Sequence, residues 1–237
     1  MISIVTGTLN RKSFLPGLIK NTVEANDKIE LVLVDGGSTD GTLEYLHDYI
    51  NSKQNSRIKL IEVGERSPYP HFMNLGIKNS SNEIVCQWND DVLLVNNWDE
   101  VISEINDEYD FYLFNWKYGS RESITSPAWV KGENASSGWF LSSDHESDIV
   151  MNYGLYKKKI FRNIGMYNND YSYYFADADM SFRAFHYGYK IKELRNIKVC
   201  SITTGKVAKH FKEDKKIYEK NKTMILSKQV SDGIEIL

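Results

Sequence analysis

Short apolar runs at Ile2–Thr6, Glu30–Val34, Ile58–Val63 and Glu83–Trp88 alternate with stretches in which apolar residues recur at helical spacing. Phe14, Leu15, Leu18, Ile19, Thr22 and Val23 form one such face, and Leu43, Leu46 and Ile50 another. Strands and helices in alternation predict an α/β fold, a mostly parallel sheet wrapped by helices. The pattern continues with a helix over about 70–78, a helix through Trp98, Val101, Ile102 and Ile105, and a strand at Phe111–Asn115. Residues 117–147 are rich in Ser, Gly, Glu and Trp without a period, which reads as a long loop or loosely structured insertion of the kind that often carries function. Order returns at Ile149–Tyr156, followed by a short helix at Lys157–Asn163, a turn at Gly165 and a helix over Asp177–Tyr187 stopped by Gly188. A strand at Lys190–Leu194, an apolar run at Ile197–Ile202 and a polar C-terminal helix complete the chain. No internal repeat or low-complexity linker divides it, so one domain is expected.

The 237 residues, 41% hydrophobic and 26% charged, are enough to bury a sizeable core. A net charge of −3 argues against nonspecific nucleic-acid binding, which leaves a basic footprint. Cys86 and Cys200 sit in apolar stretches, as buried free thiols of a reducing compartment do. The N-terminus lacks a basic segment ahead of its apolar run, and no run approaches the roughly 18 residues that span a bilayer, so a cytoplasmic protein is expected. Lys206, Lys209, Lys212, Lys215, Lys216, Lys220 and Lys222 bias the tail toward positive charge, leaving peripheral contact with a membrane open. With Glu213, Asp214 and Glu219 interspersed, a solvated helix face is the preferred reading.

Parallel strands present their carboxyl ends to one crevice, where ligands of open α/β sheets bind. The first strand runs into Thr6-Gly-Thr8-Leu-Asn10-Arg11, whose small residues let backbone approach a flat base or a phosphate, and the second ends in Asp35-Gly-Gly-Ser-Thr-Asp-Gly-Thr42. The Asp35 carboxylate can accept the imide N–H of uracil or thymine, or two donors of guanine, whereas the matching nitrogen of cytosine carries no proton. UDP, dTDP or GDP is thus favoured over CDP. The structural alternative is a turn at Gly36 and Gly37 with Ser38 or Asp40 capping the next helix. After the fourth strand, Asn89-Asp90-Asp91 sets two carboxylates side by side; they either await a cation or merely begin a turn, in which case they repel with nothing to offset the cost.

Together with Met73-Asn74-Leu-Gly76-Ile77 ahead of Glu83-Ile-Val, and with Asp177-Ala-Asp179-Met-Ser-Phe-Arg183 ahead of Gly188-Tyr, these strings resemble the family 2 glycosyltransferases of GT-A fold. The likeness is most specific over Met1 to about Leu94 and over Tyr153–Ile191. It implies a Rossmann-like, nucleotide-sugar-binding half over 1–115, an acceptor and catalytic-base half over 116–211, and a C-terminal helix over 212–237. It further implies inverting transfer of a sugar from a nucleoside diphosphate donor, UDP first, to a hydroxyl of a glycan, lipid-linked sugar or protein, in surface polysaccharide or glycoconjugate synthesis. Thr6, Thr8, Asn10, Arg11, Asp35, Arg66, Asn74 and Asp90 become donor contacts. For Arg66 a solvated surface role competes, and for Asn74 a packing one. Asp91 becomes the ligand of Mn2+ or Mg2+, with His210, the one histidine placed late enough, completing the shell. Asp177 becomes the general base. Trp139, His145 and Asp179 fall on the acceptor side, with Trp129 a further stacking candidate; an i, i+4 pair with Arg183 is the preferred structural role of Asp179. The chain departs from the pattern at Gly36, Trp88 and Ala176, each of which stands where the family keeps an acid. The departures at Trp88 and Ala176 admit a degenerate sugar-nucleotide or glycan binding subunit, whereas the one at Gly36 is a tolerated variation. A sugar-phosphate nucleotidyltransferase ranks lower, because the first loop carries only Gly7.

Overall fold

The computed structural model describes residues 1–53, 56–118, 151–201 and 210–227. β1 (Ile2–Thr8), β2 (Ile29–Asp35), β3 (Ile58–Glu62) and β4 (Ile84–Gln87) pair in parallel in the order β3-β2-β1-β4. Beyond β4 the same sheet continues through β7 (Gly154–Lys157), β6 (Phe111–Tyr118), β8 (Ile191–Ser201) and β5 (Val92–Leu94). β7 and β5 run against their neighbours, and β6 and β8 are parallel to each other. The sheet is thus mostly parallel, as the sequence predicts.

Strands covered on both faces are buried along nearly their whole length and rich in branched apolar residues, and β1 and β2 are such strands. Ile2, Ile4, Leu31 and Leu33 meet Leu15, Leu18 and Ile19 of α1 (Leu15–Asn21), Leu46 of α2 (Thr42–Lys53), and Trp98 and Val101 of α4 (Trp98–Ser103). Val5 and Val32 face the other way, with Met73 and Ile77 of α3 (Tyr69–Asn79), Ile160 and Phe161 of α5 (Lys159–Ile164), and Met180 and Ala184 of α6 (Ala176–His186). α3 lies so close to β1 that a Cβ on Gly76 would stand 2.3 Å from Val5 Cγ1, which only glycine avoids.

Three details depart from the pattern-based expectation. β5 was hidden because three residues are too few to show a period. The two expected runs meet in one strand over Ile191–Ser201: Arg195 and Asn196 interrupt the apolar pattern, and the register against β6 jumps from Leu194 to Lys198 while β6 advances one residue. The C-terminal helix, α7 (Phe211–Leu226), is not a purely solvated element, since Asp214, Tyr218 and Asn221 are buried while Lys212, Lys215, Lys216 and Lys220 are exposed. Cys86 and Cys200 are buried and not joined by a disulfide. Among the described residues no helix is long and apolar enough to cross a membrane.

Candidate active site

At the carboxyl ends of β1, β2 and β4 a cavity of about 990 Å³ opens. Gly7, Thr8, Leu9 and Arg11 line it from the loop after β1, and Gly36 from the turn after β2. Arg66 and the start of α3 supply a further wall, as do Asn89, Asp90 and Asp91 after β4. Ser172, Tyr173, Tyr174 and His210 line the remainder.

The first loop is clasped to the second. Asn10, held at φ 55°, accepts from Thr39 N at 2.7 Å while its own N–H donates to Ser38 Oγ at 2.9 Å. Asn10 and the buried Thr6, whose hydroxyl donates to Gly7 O at 3.1 Å, are therefore parts of the frame and not of the lining. Thr8 and Arg11 do line the cavity: Thr8 Oγ1 donates to Asp90 Oδ2 at 3.0 Å, and Arg11 Nε lies 3.9 Å from Asp90 Oδ1. Asp35 is fully buried at the end of β2. Its carboxylate accepts from the N–H groups of Gly37 and Ser38 at 2.8 and 2.9 Å and from the Ser38 hydroxyl, so Gly36 and Arg66 reach the cavity where Asp35 does not. Asp40, the other capping candidate, accepts from Thr42 N at 3.1 Å at the head of α2.

Asn74 also stands behind the wall. Its amide donates to Tyr167 O at 2.8 Å and accepts from Tyr167 N at 3.0 Å, and the Tyr167 hydroxyl donates to Gln87 Oε1 at the end of β4. Packing is the observed role, tying α3 to the segment ahead of α6.

Asp90 and Asp91 are both 8% exposed on the cavity wall. Burial, opposed by Arg11 and reinforced by the neighbouring Asp91 charge, pushes the Asp90 carboxyl from its ordinary 3.8 up to about 6. Two desolvated carboxylates side by side suit a hard divalent cation, which keeps its other positions for water and phosphate oxygens. Among the described residues no three metal-ligating side chains are gathered as a ready-made cage, although His210 lines the same cavity. Trp88, in place of an acid, is fully buried, donates from Nε1 to Val92 O at 3.0 Å, and packs on Trp98 and Tyr153.

Asp177 lies in the first turn of α6, where the helix dipole favours an anion. Its Oδ1 accepts from Ala178 N at 2.9 Å. With the Asn152 amide oriented to satisfy both neighbours, Nδ2 donates to Asp177 Oδ2 at 3.1 Å and the amide oxygen accepts from Trp116 Nε1 at 2.9 Å. Gln87 fixes Asn152 in turn, donating to the carbonyls of Met151 and Asn152 at 2.9 and 2.8 Å. Next to them Asn89, which precedes the acidic pair, donates to Tyr153 Oη at 3.2 Å. Asp177 is not itself among the residues that line the cavity; it is joined through Asn152 to the end of β4 that carries Asp90 and Asp91. Burial raises its carboxyl from 3.8 to about 6, against the lowering effect of the Ala178 N–H.

Asp179, placed on the acceptor side by resemblance, is instead 1% exposed, with its oxygens occupied inside the fold. It pairs with Arg183 Nε at 2.9 Å and accepts from Tyr171 Oη at 3.1 Å and Asn221 Nδ2 at 3.2 Å. Arg183 also donates to the carbonyls of Ile164 and Met166 at 2.7 and 2.6 Å, so the pair locks the turn between α5 and α6. Asp179→Asn should therefore lower unfolding free energy by about 3–5 kcal/mol, as loss of one partner of a buried pair does. Denaturant unfolding checks this; a cost below about 1 kcal/mol would argue that Arg183 is satisfied without it.

Trp129, Trp139 and His145 lie outside the described residues. Sequence reasoning did not single out Asn152, Gln87 or Tyr173, which carry no motif. Among the charges of the C-terminal helix Asp214 reads as solvated, although Phe211, Asp214, Tyr218 and Asn221 keep the 3-4-3 spacing of one inward-facing helix stripe.

No curated protein matches the chain in sequence. Among solved structures, it is similar to a mannosyltransferase from Pyrobaculum calidifontis in complex with GDP-Man and Mn2+, with a TM-score of 0.67 and 15% identity over 97% of this chain and 65% of that one. It is also similar to S. aureus TarS residues 1–349 in complex with UDP, with a TM-score of 0.66 and 14% identity over 98% of this chain and 67% of that one. The same TarS fragment with UDP-GlcNAc gives a TM-score of 0.61 and 16% identity, over 96% of this chain and 70% of that one. The chain thus spans about two thirds of the length of these relatives, and at such identities the likeness shows a shared GT-A fold. Residues 3–165 match the family described as Glycosyl transferase family 2, and with that match covering well over half of its length the chain belongs to this family.

Proposed function

We propose that the chain is an inverting, metal-dependent glycosyltransferase that moves one sugar from a nucleoside diphosphate to an acceptor hydroxyl, in surface polysaccharide or glycoconjugate synthesis. The observation that carries this reading is the link through Asn152 between Asp177 and the strand end bearing Asp90 and Asp91. Asp177 takes the proton of the acceptor hydroxyl as its oxygen attacks the anomeric carbon. The bond from that carbon to the phosphate oxygen breaks, and the diphosphate leaves with the electron pair. A single displacement inverts configuration. A carboxyl raised to about 6 remains mostly ionised at neutral pH while being a stronger base than an ordinary aspartate. Asp91, Asp90 and His210 are the residues that would hold the divalent cation, which when bound supplies positive charge against the leaving diphosphate. Arg11 and Arg66 add positive charge to the same lining.

The base subsite of this reading lies around Gly36 and Arg66. A uracil or guanine imide N–H would reach Asp35 by displacing the Ser38 hydroxyl from its carboxylate, an exchange that a cytosine ring cannot make. The test is thermal stabilisation by UDP, dTDP, GDP and CDP with Mn2+, followed by nucleoside diphosphate release from the matching sugar nucleotides. A ligand at one hundred times its Kd adds about 2.7 kcal/mol of stability. UDP, dTDP or GDP should stabilise and CDP should not. A preference for CDP would remove Asp35 from base reading, and binding without release of diphosphate would favour a sugar-nucleotide binding subunit.

A further inference from the structure

Three consecutive backbone N–H groups converge on one carboxylate of α7. Asp214 Oδ1 accepts from Ser172 N at 2.9 Å, and Oδ2 accepts from Tyr173 N at 2.9 Å and Tyr174 N at 2.8 Å. Asp214 is 1% exposed. A carboxylate is withdrawn from water at such a place only when its lone pairs are met, and here the donors belong to irregular chain that has no ladder of its own. The segment so held is a cavity wall, and Ser172 O accepts from Tyr69 N at the head of α3.

The next residue, Phe175, has φ 64°, a left-handed conformation that a bulky side chain adopts only when its surroundings over-determine it. α7 supplies those surroundings as well: the Phe175 ring stacks on Tyr218 with centroids 5.4 Å apart and packs on Phe211 at 5.1 Å. The Phe175 carbonyl then accepts from Asp179 N at 2.8 Å as α6 begins, and Asp177 lies in that first turn.

We propose that Asp214 is a positioning residue for transfer: by gripping the backbone of 172–174 it sets the left-handed turn at Phe175, and with it the place from which Asp177 meets the acceptor. The catalytic part of this inference rests on the proposed function; the structural part does not.

Asp214→Asn keeps the shape and removes the charge and an acceptor. Glu30→Gln is the matched control, since Glu30 is a buried carboxylate at the amino end of β2 that accepts from Ser3 Oγ and Ser81 N. Hydrogen exchange in peptides covering 171–179, turnover at saturating donor, and affinity for UDP with Mn2+ are compared. In Asp214→Asn, exchange across 172–178 should quicken about tenfold or more through local opening. Turnover should fall about tenfold or more while UDP affinity shifts less than about threefold, because the base is misplaced and the strand-end contacts are not. Glu30→Gln should lose stability and move none of these readouts. Asp214→Glu, which keeps the charge but displaces the carboxylate by a methylene, should move them in the same direction. Wild-type exchange and turnover in whichever Asp214 variant folds would overturn the proposal, as would an equal loss of turnover in Glu30→Gln. If wild type transfers no sugar, the proposed function fails and exchange across 172–178 decides Asp214 by itself: faster exchange upholds the grip, unchanged exchange overturns it.

Discussion

Asp177→Asn lowers sugar transfer by about 10²- to 10⁴-fold at saturating donor and metal while leaving nucleoside diphosphate affinity nearly unchanged. The amide keeps the acceptor for Ala178 N and the place at the helix start, but it cannot take a proton. In wild type, kcat/KM falls as pH drops through about 6, the pH at which burial brings the carboxyl to half-protonation. The residual activity of the variant lacks the Asp177 part of that limb and keeps only what the Asp90 carboxyl contributes. Stability moves the other way. Between the ordinary 3.8 and about 6 the folded state holds a proton that the unfolded state has released, so wild-type stability declines as pH rises across this window. Asp177→Asn has no such charge to bury. It should melt above wild type at pH 7 to 8, and the gap should close near pH 4. Near wild-type transfer by the variant would sink the assignment.

Asp91→Asn weakens UDP binding in the presence of Mn2+ by about 10²-fold, since even residues that merely orient a metal ligand cost 10- to 100-fold when lost. Titration calorimetry with and without Mn2+ separates the effect from fold damage: without the ion, variant and wild type should bind UDP alike. Wild-type gain of affinity on adding Mn2+ to the variant would rule out Asp91 as a ligand. The neighbouring Asp90 sharpens the contrast, because Thr8 and Arg11 already engage its carboxylate and its loss removes those contacts too.

The strand ends were legible because apolar runs bounded by small and acidic residues announce both a buried parallel strand and its exit. Ile2–Thr6, Glu30–Val34 and Glu83–Trp88 fall within a residue or two of β1, β2 and β4. What a side chain does at such an exit was less legible, since the same string serves a ligand or a turn. Asp35 and Asn10 show the difficulty: both sit in the expected loops, yet the turn itself uses the atoms that a base or phosphate would want.

The periodicity and the acidic strings by themselves determined the α/β class, the mostly parallel sheet, the order of its helices and the crevice at which Thr8, Arg11, Asp90 and Asp91 gather. These follow from local rules, because burial of both strand faces demands apolar runs and a parallel crossover demands a helix. Only the tertiary structure decided that Asn74 and Asp179 serve packing, that Asn152 joins Asp177 to β4, and that Asp214 of α7 grips Ser172 to Tyr174. Each of these rests on hydrogen bonds between residues 25 to 93 positions apart or on a burial that no polar residue type advertises. A carboxylate reads as solvated in sequence, and becomes a structural clamp only when the fold brings three donors to it and removes the water.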